Sequence, residues 1–250
     1  LFPDWQALGL EVTAGHSFDA DADLCILHHD MTKTDPAAAP EAPHGARVVN
    51  GRVLDISKRL YSTLRLERGD DWSGPVIVKS DLNHYGIREE ILCDPTPPAK
   101  WRVALADRGW WRIAGRLPDR TYPVLGSIRE VPRWVWRSSR HIVERFMPER
   151  EGDLYCLRGW IFLGSADYGY RIFATDPMVK TDFMVSYEYR DDVPPELRAE
   201  RERMGFDFGK FDYVVHDGRA HLLDANKTPW LATRGPKIAV LAQGIRDFLP

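Results

Sequence analysis

Hydrophobic and polar positions change period several times along the chain, and each change predicts an element. Asp23-Leu24-Cys25-Ile26-Leu27-His28 and Ala46-Arg47-Val48-Val49-Asn50 are short apolar runs that predict two strands. The Pro- and Ala-rich residues 35–45 between them have no apolar period and predict a loop. Over residues 55–66 the apolar positions Ile56, Leu60, Tyr61 and Leu64 gather near one helical face, predicting a helix capped by Asp55 with Lys58 in its first turn. An exposed lysine is the ordinary reading of that position. A bound anion is the alternative, because a cation there opposes the helix dipole.

Gly74-Pro75-Val76-Ile77-Val78-Lys79 predicts a buried strand ending on Lys79, followed by a polar turn over residues 80–86. Residues 100–140 are dense in Trp, Arg and Pro, with a helix expected within 128–141. Residues 141–147 predict a strand stopped by Pro148. Residues 153–163 and 168–174 predict two more, joined by a Gly-Ser-Ala-Asp turn. A charged helix is expected from Pro195 to Met204 with Gly205 as its stop, and a final helix over 235–248.

The stretch KFDYVVHDGRAHLLDANKTPW, residues 210–230, reads as a hairpin of strands 211–215 and 219–226 around His216-Asp217-Gly218. Asp224 and Asn226 share a face because strand side chains alternate. The turn decides whether Asp212 joins them. A two-residue Asp-Gly turn pairs His216 with Arg219 and sets Asp212 opposite Leu223, on the wrong face. A three-residue loop with Gly218 left-handed pairs Val215 with Arg219 and brings all three oxygen ligands together. The three-residue loop is the expectation. Two carboxylates and an amide oxygen suit a hard cation such as Mg²⁺.

Composition narrows the class. With 250 residues, 44% hydrophobic and 28% charged, the chain can bury a full core of the kind found in soluble globular proteins. A formal net charge of −3 gives no overall attraction to nucleic acid or membrane. No apolar run approaches the ~18 residues of a spanning helix. Cys25, Cys93 and Cys156 are few, odd in number and widely spaced, as reduced thiols of a cytoplasmic protein would be. No secretory signal opens the chain, although Leu1 is not an initiator Met. Six of the nine tryptophans lie from Trp72 to Trp136, beside apolar residues and without the regularity of a base-stacking groove.

The order Lys58, Lys79, the strand through Glu144, Arg145, Phe146 and Met147, then Arg158, Arg171 and the Asp212/Asp224/Asn226 hairpin resembles the ATP-grasp superfamily. In that family the last core strands carry an Asp and then a Glu/Asp-x-Asn pair as metal ligands. The resemblance implies an α+β ATP-grasp fold, two α+β subdomains gripping a nucleotide. It divides the chain into a partial small α/β segment (1–50), a lid subdomain (51–143) and a metal-bearing C-terminal subdomain (144–250).

By this resemblance Lys58 and Lys79 flank the ATP phosphates, and the backbone of Glu144–Met147 reads the adenine edge. Glu151, or else Glu149, holds the ribose hydroxyls. Arg158 and Arg171 neutralise the transferring phosphoryl group, and Asp212, Asp224 and Asn226 hold Mg²⁺, with Mn²⁺ the alternative ion. Two departures stand out: residues 80–86 contain one glycine where the family has a Gly-rich loop, and Asp224 stands where Glu is commoner.

The activity implied is an ADP-forming ligase, in which ATP activates a small-molecule or peptide carboxylate as an acyl phosphate for attack by an amine-type nucleophile. No Gly-x-Ser-x-Gly motif or activated cysteine offers a protein nucleophile. A kinase of the same fold and a non-catalytic nucleotide-binding regulator are the alternatives. A homodimer is the candidate assembly.

Overall fold

The computed structural model describes residues 1–93, 98–179, 183–231 and 236–249. In chain order it contains α1 (Phe2–Ala7), β1 (Leu24–Ile26), β2 (Arg47–Val49), β3 (Arg65–Leu66), β4 (Val76–Ser80), α2 (Ile87–Cys93), α3 (Lys100–Leu105), α4 (Trp111–Ala114), β5 (Val124–Leu125) and α5 (Arg133–Trp136). There follow β6 (His141–Arg145), β7 (Glu149–Glu151), β8 (Leu154–Leu163), β9 (Ala166–Ala174), β10 (Met184–Arg190), α6 (Pro195–Met204), β11 (Phe208–His216), β12 (Arg219–Asn226) and α7 (Pro236–Gln243). The class is α+β.

Two antiparallel sheets carry the site. The larger has six strands in the order β10-β9-β8-β11-β12, with β7 added along β8, and the smaller has four in the order β3-β6-β4-β5. A separate parallel pair joins β1 to β2. Strands β8 and β9 carry apolar side chains to both faces of the large sheet, whereas β10 at its edge is exposed throughout. Trp160, Phe162 and Phe211 pack on one face with Leu197 of α6 and with Val53, Ile56 and Tyr61. Ile161, Leu163, Tyr168, Tyr170 and Phe208 pack on the other with Trp5 and with Ile238, Leu241 and Ile245. In the small sheet Val76, Val78 and Val143 pack against Trp111, Leu117, Val131 and Val135. Most of the tryptophans in the dense stretch therefore serve or border that core. Among the described residues no helix is long and apolar enough to cross a membrane.

Asn50, buried and at φ 60°, ties the amino-terminal segment to the large sheet. Its Nδ2 donates to Phe208 O at 2.8 Å, and its Oδ1 accepts from the N–H groups of Asp207 and Phe208.

The local expectations fail in identifiable places. The helix over 55–66 does not form. A single 3₁₀ turn, Lys58–Leu60, is followed by β3. Asp55 accepts from Ser57 N, the Lys58 and Arg59 N–H groups go to Asp81, and Leu60 is exposed, so tertiary partners take the bonds a helix would use. The helix within 128–141 is reduced to a 3₁₀ turn and α5, because Pro132 supplies no N–H between them. The hinge strand ends at Arg145, two residues early. Strands β5, β7 and β10 and helices α1 to α4 have no counterpart among the expected elements. The expected start of the last helix at Gly235 lies outside the described residues. Helix α6 and its stop, Gly205 at φ 73°, are as expected.

Candidate nucleotide and metal site

The hairpin of β11 and β12 brings its acids together by a route different from the expected one. His216 pairs with Arg219 across a two-residue turn in which Asp217 (φ 50°) and Gly218 (φ 73°) are both left-handed. The three-residue loop is not formed. A regular ladder from that turn would turn Asp212 away. Between Asp212 and Tyr213 the register shifts, so that Tyr213 faces Leu222 while Asp212 faces Asp224, leaving Leu223 as the extra residue of a bulge. One unpaired residue reverses the parity of the strand. Asp212, Asp224 and Asn226 therefore share a face, together with Lys210, which pairs with Asn226.

Two ammonium groups meet the two carboxylates. Lys210 Nζ lies 2.9 Å from Asp212 Oδ2, and Lys58 Nζ lies 2.9 Å from Asp224 Oδ1. Lys58 is buried and also donates to Leu82 O and Asn83 Oδ1. Tyr170 crosses from β9 to place its hydroxyl 3.4 Å from Asp212 Oδ1. The crossing needs a glycine between them, since a Cβ at Gly159 would lie 2.1 Å from the Tyr170 ring. Burial pushes the Asp212 carboxyl up, with Lys210 pulling it down and Asp224 reinforcing the rise. Burial works to lower the Lys210 ammonium, but Asp212 and Tyr170 outweigh it and hold it above its ordinary value. Lys210 was missed in the sequence. Its signal was its position two residues before Asp212, which on a strand fixes the same face.

The donor set fits a hard divalent cation in part. Asp212 and Asp224 supply facing carboxylates, each now neutralised by a lysine. The Thr228 N–H donates to Asn226 Oδ1 at 2.8 Å, while the Thr228 hydroxyl lies nearer Asp30 Oδ1 (3.0 Å) than Asn226 Oδ1 (3.3 Å), so the amide oxygen keeps a lone pair for a cation. Among the described residues no three His, Cys, Asp or Glu side chains form a metal cluster, which leaves the third ligand to this amide.

On the small sheet Lys79 and Glu144 share a face, with Ile77 opposite Glu144 and Lys79 opposite Ile142. The Lys79 ammonium is 2.6 Å from Glu144 Oε2. Glu144 is completely buried, and its Oε1 has no hydrogen-bond donor. Of the hinge backbone, Arg145 N donates to Leu64 O, Phe146 N donates to Pro75 O, and Met147 O accepts from His216.

The arginines are not brought to this face. Gly159 is the β8 residue opposite Asp212, so its neighbour Arg158 points to the other side of the sheet, and Arg171 pairs with Arg158 there. Arg158 is held by Glu149 through both Nε and Nη2, the latter at 2.6 Å from Oε1. Arg171 pairs with Glu151 at 2.9 Å. Glu149 also accepts from Val215 N. The two acids expected to hold a ribose are thus the partners of the two arginines. Residue order alone carries no parity between strands, which is why the sequence placed these groups with Asp212.

The turn after Lys79 closes over the hairpin. His84, Tyr85 and Gly86 are left-handed in succession at φ 46°, 62° and 78°, two of them without the freedom of glycine. Asn83 Nδ2 donates to Ala225 O at 2.7 Å, and Tyr85 packs on Tyr122 with ring centroids 4.6 Å apart. Burial, and then the charge of Asp224, raise the phenol pKa values of Tyr85, Tyr122 and Tyr61.

No family profile matches the sequence, and no curated protein matches it. Solved structures resemble it at low identity. A RimK domain ATP-grasp protein from Sphaerobacter thermophilus aligns with 99% of this chain and 92% of its own, at 15% identity and a TM-score of 0.48. The macrocyclase MdnC from Microcystis aeruginosa, bound with the precursor peptide MdnA, aligns with 72% of this chain at 14% identity and a TM-score of 0.40. The chain spans about half of that macrocyclase, 49%. A D-alanine–D-alanine ligase from Bacillus anthracis, complexed with ATP, aligns with 77% of this chain and 62% of its own, at 12% identity and a TM-score of 0.33. Likeness at these scores assigns no activity.

Proposed function

We propose that this chain is an ATP-grasp domain of an ATP-dependent ligase that activates a carboxylate for attack by an amine. The observation that carries the reading is the Asp212–Asp224 pair, capped by Lys58 and Lys210, with Lys79 held by Glu144 on the small sheet. Phosphoryl transfer asks for positioning and charge neutralisation rather than a protein nucleophile. Lys58, Lys79 and Lys210 supply three cations. Glu144, completely buried, holds the Lys79 ammonium in place.

Asp212 and Asp224, with the amide oxygen of Asn226, would hold Mg²⁺, which neutralises phosphate charge when bound. Lys210 replaces Arg158 and Arg171 as the cation on the reacting face. The substrate carboxylate attacks the terminal phosphorus of ATP and the bond to ADP breaks; the amine nitrogen then attacks the acyl carbon of the acyl phosphate, the bond from that carbon to the bridging oxygen breaks, and phosphate leaves with the proton the nitrogen gives up. The arginine pairs with Glu149 and Glu151 then serve to fasten β7 and β9 to the sheet.

Thermal unfolding with Mg·ATP tests the reading. Saturation at 100 times the dissociation constant stabilises the folded state by about 2.7 kcal/mol. The wild type should gain that shift and Asp224→Asn should lose most of it. Equal melting temperatures with and without millimolar Mg·ATP refute nucleotide binding. ADP release that depends on an added amine separates a ligase from a kinase.

A further inference from the structure

One edge of the large sheet is left open. Strand β10 ends the path β10-β9-β8-β11-β12, and no described strand pairs along its other side. All seven of its residues are exposed, so solvent meets both faces as well as the edge. Val185, Tyr187 and Tyr189 are 57%, 42% and 51% exposed although one is aliphatic and two are aromatic. Such an edge offers a row of backbone N–H and C=O groups to another strand, and native sheets blunt it with proline, lysine or a covering element. Strand β10 contains neither residue. A register shift between Met184 and Ser186 marks a bulge at Val185, but from Ser186 to Arg190 the pairing with β9 is regular.

The exposed side chains are already held in place. Tyr187 stacks on Tyr170 with ring centroids 5.2 Å apart, and Tyr189 meets Tyr187 and Tyr168 edge-on at 5.2 and 5.9 Å. On the opposite face Glu188 lies 3.7 Å from Arg171, and Arg190 lies 3.1 Å from Asp192. Little rotamer freedom remains for a partner to remove. The strand carries one acid and one base, so it brings no net charge to a contact with itself.

We propose that this edge pairs antiparallel with β10 of a second copy of the chain, about a two-fold axis that passes beside Tyr187 and runs perpendicular to the sheet. The proposal is independent of the ligase reading. Symmetry limits the register. Such an axis keeps each side chain on its own face, so a residue can oppose only residues of its own parity, and one residue must oppose itself. Tyr187 is the midpoint of Met184–Arg190, and an axis there pairs all seven residues. It sets Tyr187 against the partner's Tyr187, Ser186 against the partner's Glu188, and Val185 against the partner's Tyr189. Aromatic pairs, a β-branched residue facing an aromatic, and a hydroxyl facing a carboxylate are favourable cross-strand neighbours. An axis at Glu188 would oppose two carboxylates, and one at Ser186 or Tyr189 would leave part of the strand unpaired. The complementarity of the strand to itself is what selects a second copy over a foreign peptide.

Sedimentation velocity of the whole chain over about 1–500 μM should show a reversible monomer–dimer equilibrium, as expected of a small interface. Two substitutions at one exposed position test the register. Ser186→Lys places an ammonium opposite the partner's Glu188 and should tighten the dimer about fivefold, whereas Ser186→Glu opposes two carboxylates and should weaken it about fivefold. Cross-linking tests the axis, in a Cys93→Ser background that removes the exposed thiol. Tyr187→Cys sets two Cα atoms about 4.5–5.5 Å apart across the axis, within disulfide reach, and should give a cross-linked dimer on mild oxidation. Glu188→Cys, with its Cα atoms at the diagonal spacing of about 7–8 Å, should not. The Ser186 pair keeps the proposal falsifiable should Tyr187→Cys fold poorly. A monomer at every concentration leaves the edge to another partner and overturns the proposal. So does a dimer that both Ser186 substitutions shift alike, or one that Glu188→Cys cross-links as readily as Tyr187→Cys.

Discussion

At the scale of single residues the site depends on which face of a strand a charge occupies. Lys210 and Arg158 are both half-buried cations paired with carboxylates, yet they stand on opposite faces of the sheet. Lys210→Met should weaken Mg·ATP binding about tenfold or more and slow ADP release by about 10²-fold, as expected for loss of a preorganised cation. Arg158→Met should leave the nucleotide shift intact while costing about 3–5 kcal/mol, because Glu149 stays buried without its partner. Urea unfolding and Mg·ATP titration of each variant check both halves, and a reversed pattern would return Arg158 to the site.

The same residue logic qualifies Lys79. Removing it strands the fully buried Glu144, so a binding defect in Lys79→Ala is interpretable only beside its unfolding curve. A titration effect belongs at this scale too. His141, held down to about 4 by burial and then by Arg140 and Arg116, folds as the neutral ring. The unfolded chain binds the proton near pH 6.5, so stability is full above that value, falls as pH drops, and reaches its floor below about 4, a loss of about 3 kcal/mol. Unfolding midpoints from pH 8 to pH 4 should show this slope, and His141→Gln should flatten it.

At the scale of the element, the hairpin shows two local features acting together. The Asp217-Gly218 turn sets a register that points Asp212 the wrong way, and the bulge at Leu223 reverses it. Gly218 at φ 73° is required by the turn, with open space around a Cβ, so replacement fails through backbone strain rather than collision. Gly218→Val should cost about 1–2 kcal/mol, measured by urea unfolding. Wild-type stability in that variant would mean the turn is not left-handed. The Asp-Gly signal for a two-residue turn was legible in the sequence. The bulge was not, because Leu222 and Leu223 are equally apolar and neither marks itself as the extra residue.

At the scale of the whole molecule, the turn after β4 ties the two sheets. Lys58 spans Leu82, Asn83 and Asp224, and Asn83 reaches Ala225. Asn83→Ala should remove a net ~1 kcal/mol hydrogen bond and speed amide exchange in residues 80–86 several-fold. Exchange unchanged there would show that the turn is held from its own sheet. Binding of Mg·ATP should slow exchange in the same segment.

The sequence by itself determined what depends on neighbours in the chain. Apolar runs marked β4, β6, β8 and β9, Pro195 and Gly205 bounded α6, and Asp224 and Asn226 were set on one face by a period of two. Only the tertiary structure decided what depends on partners far away in sequence. It diverted residues 55–66 from helix to a 3₁₀ turn and β3, paired Arg158 with Glu149, and left β10 at the open edge of the large sheet. The physical reason is that a strand's alternation is a local property, whereas its register against another strand, and hence which charges meet, is fixed by packing across the sheet.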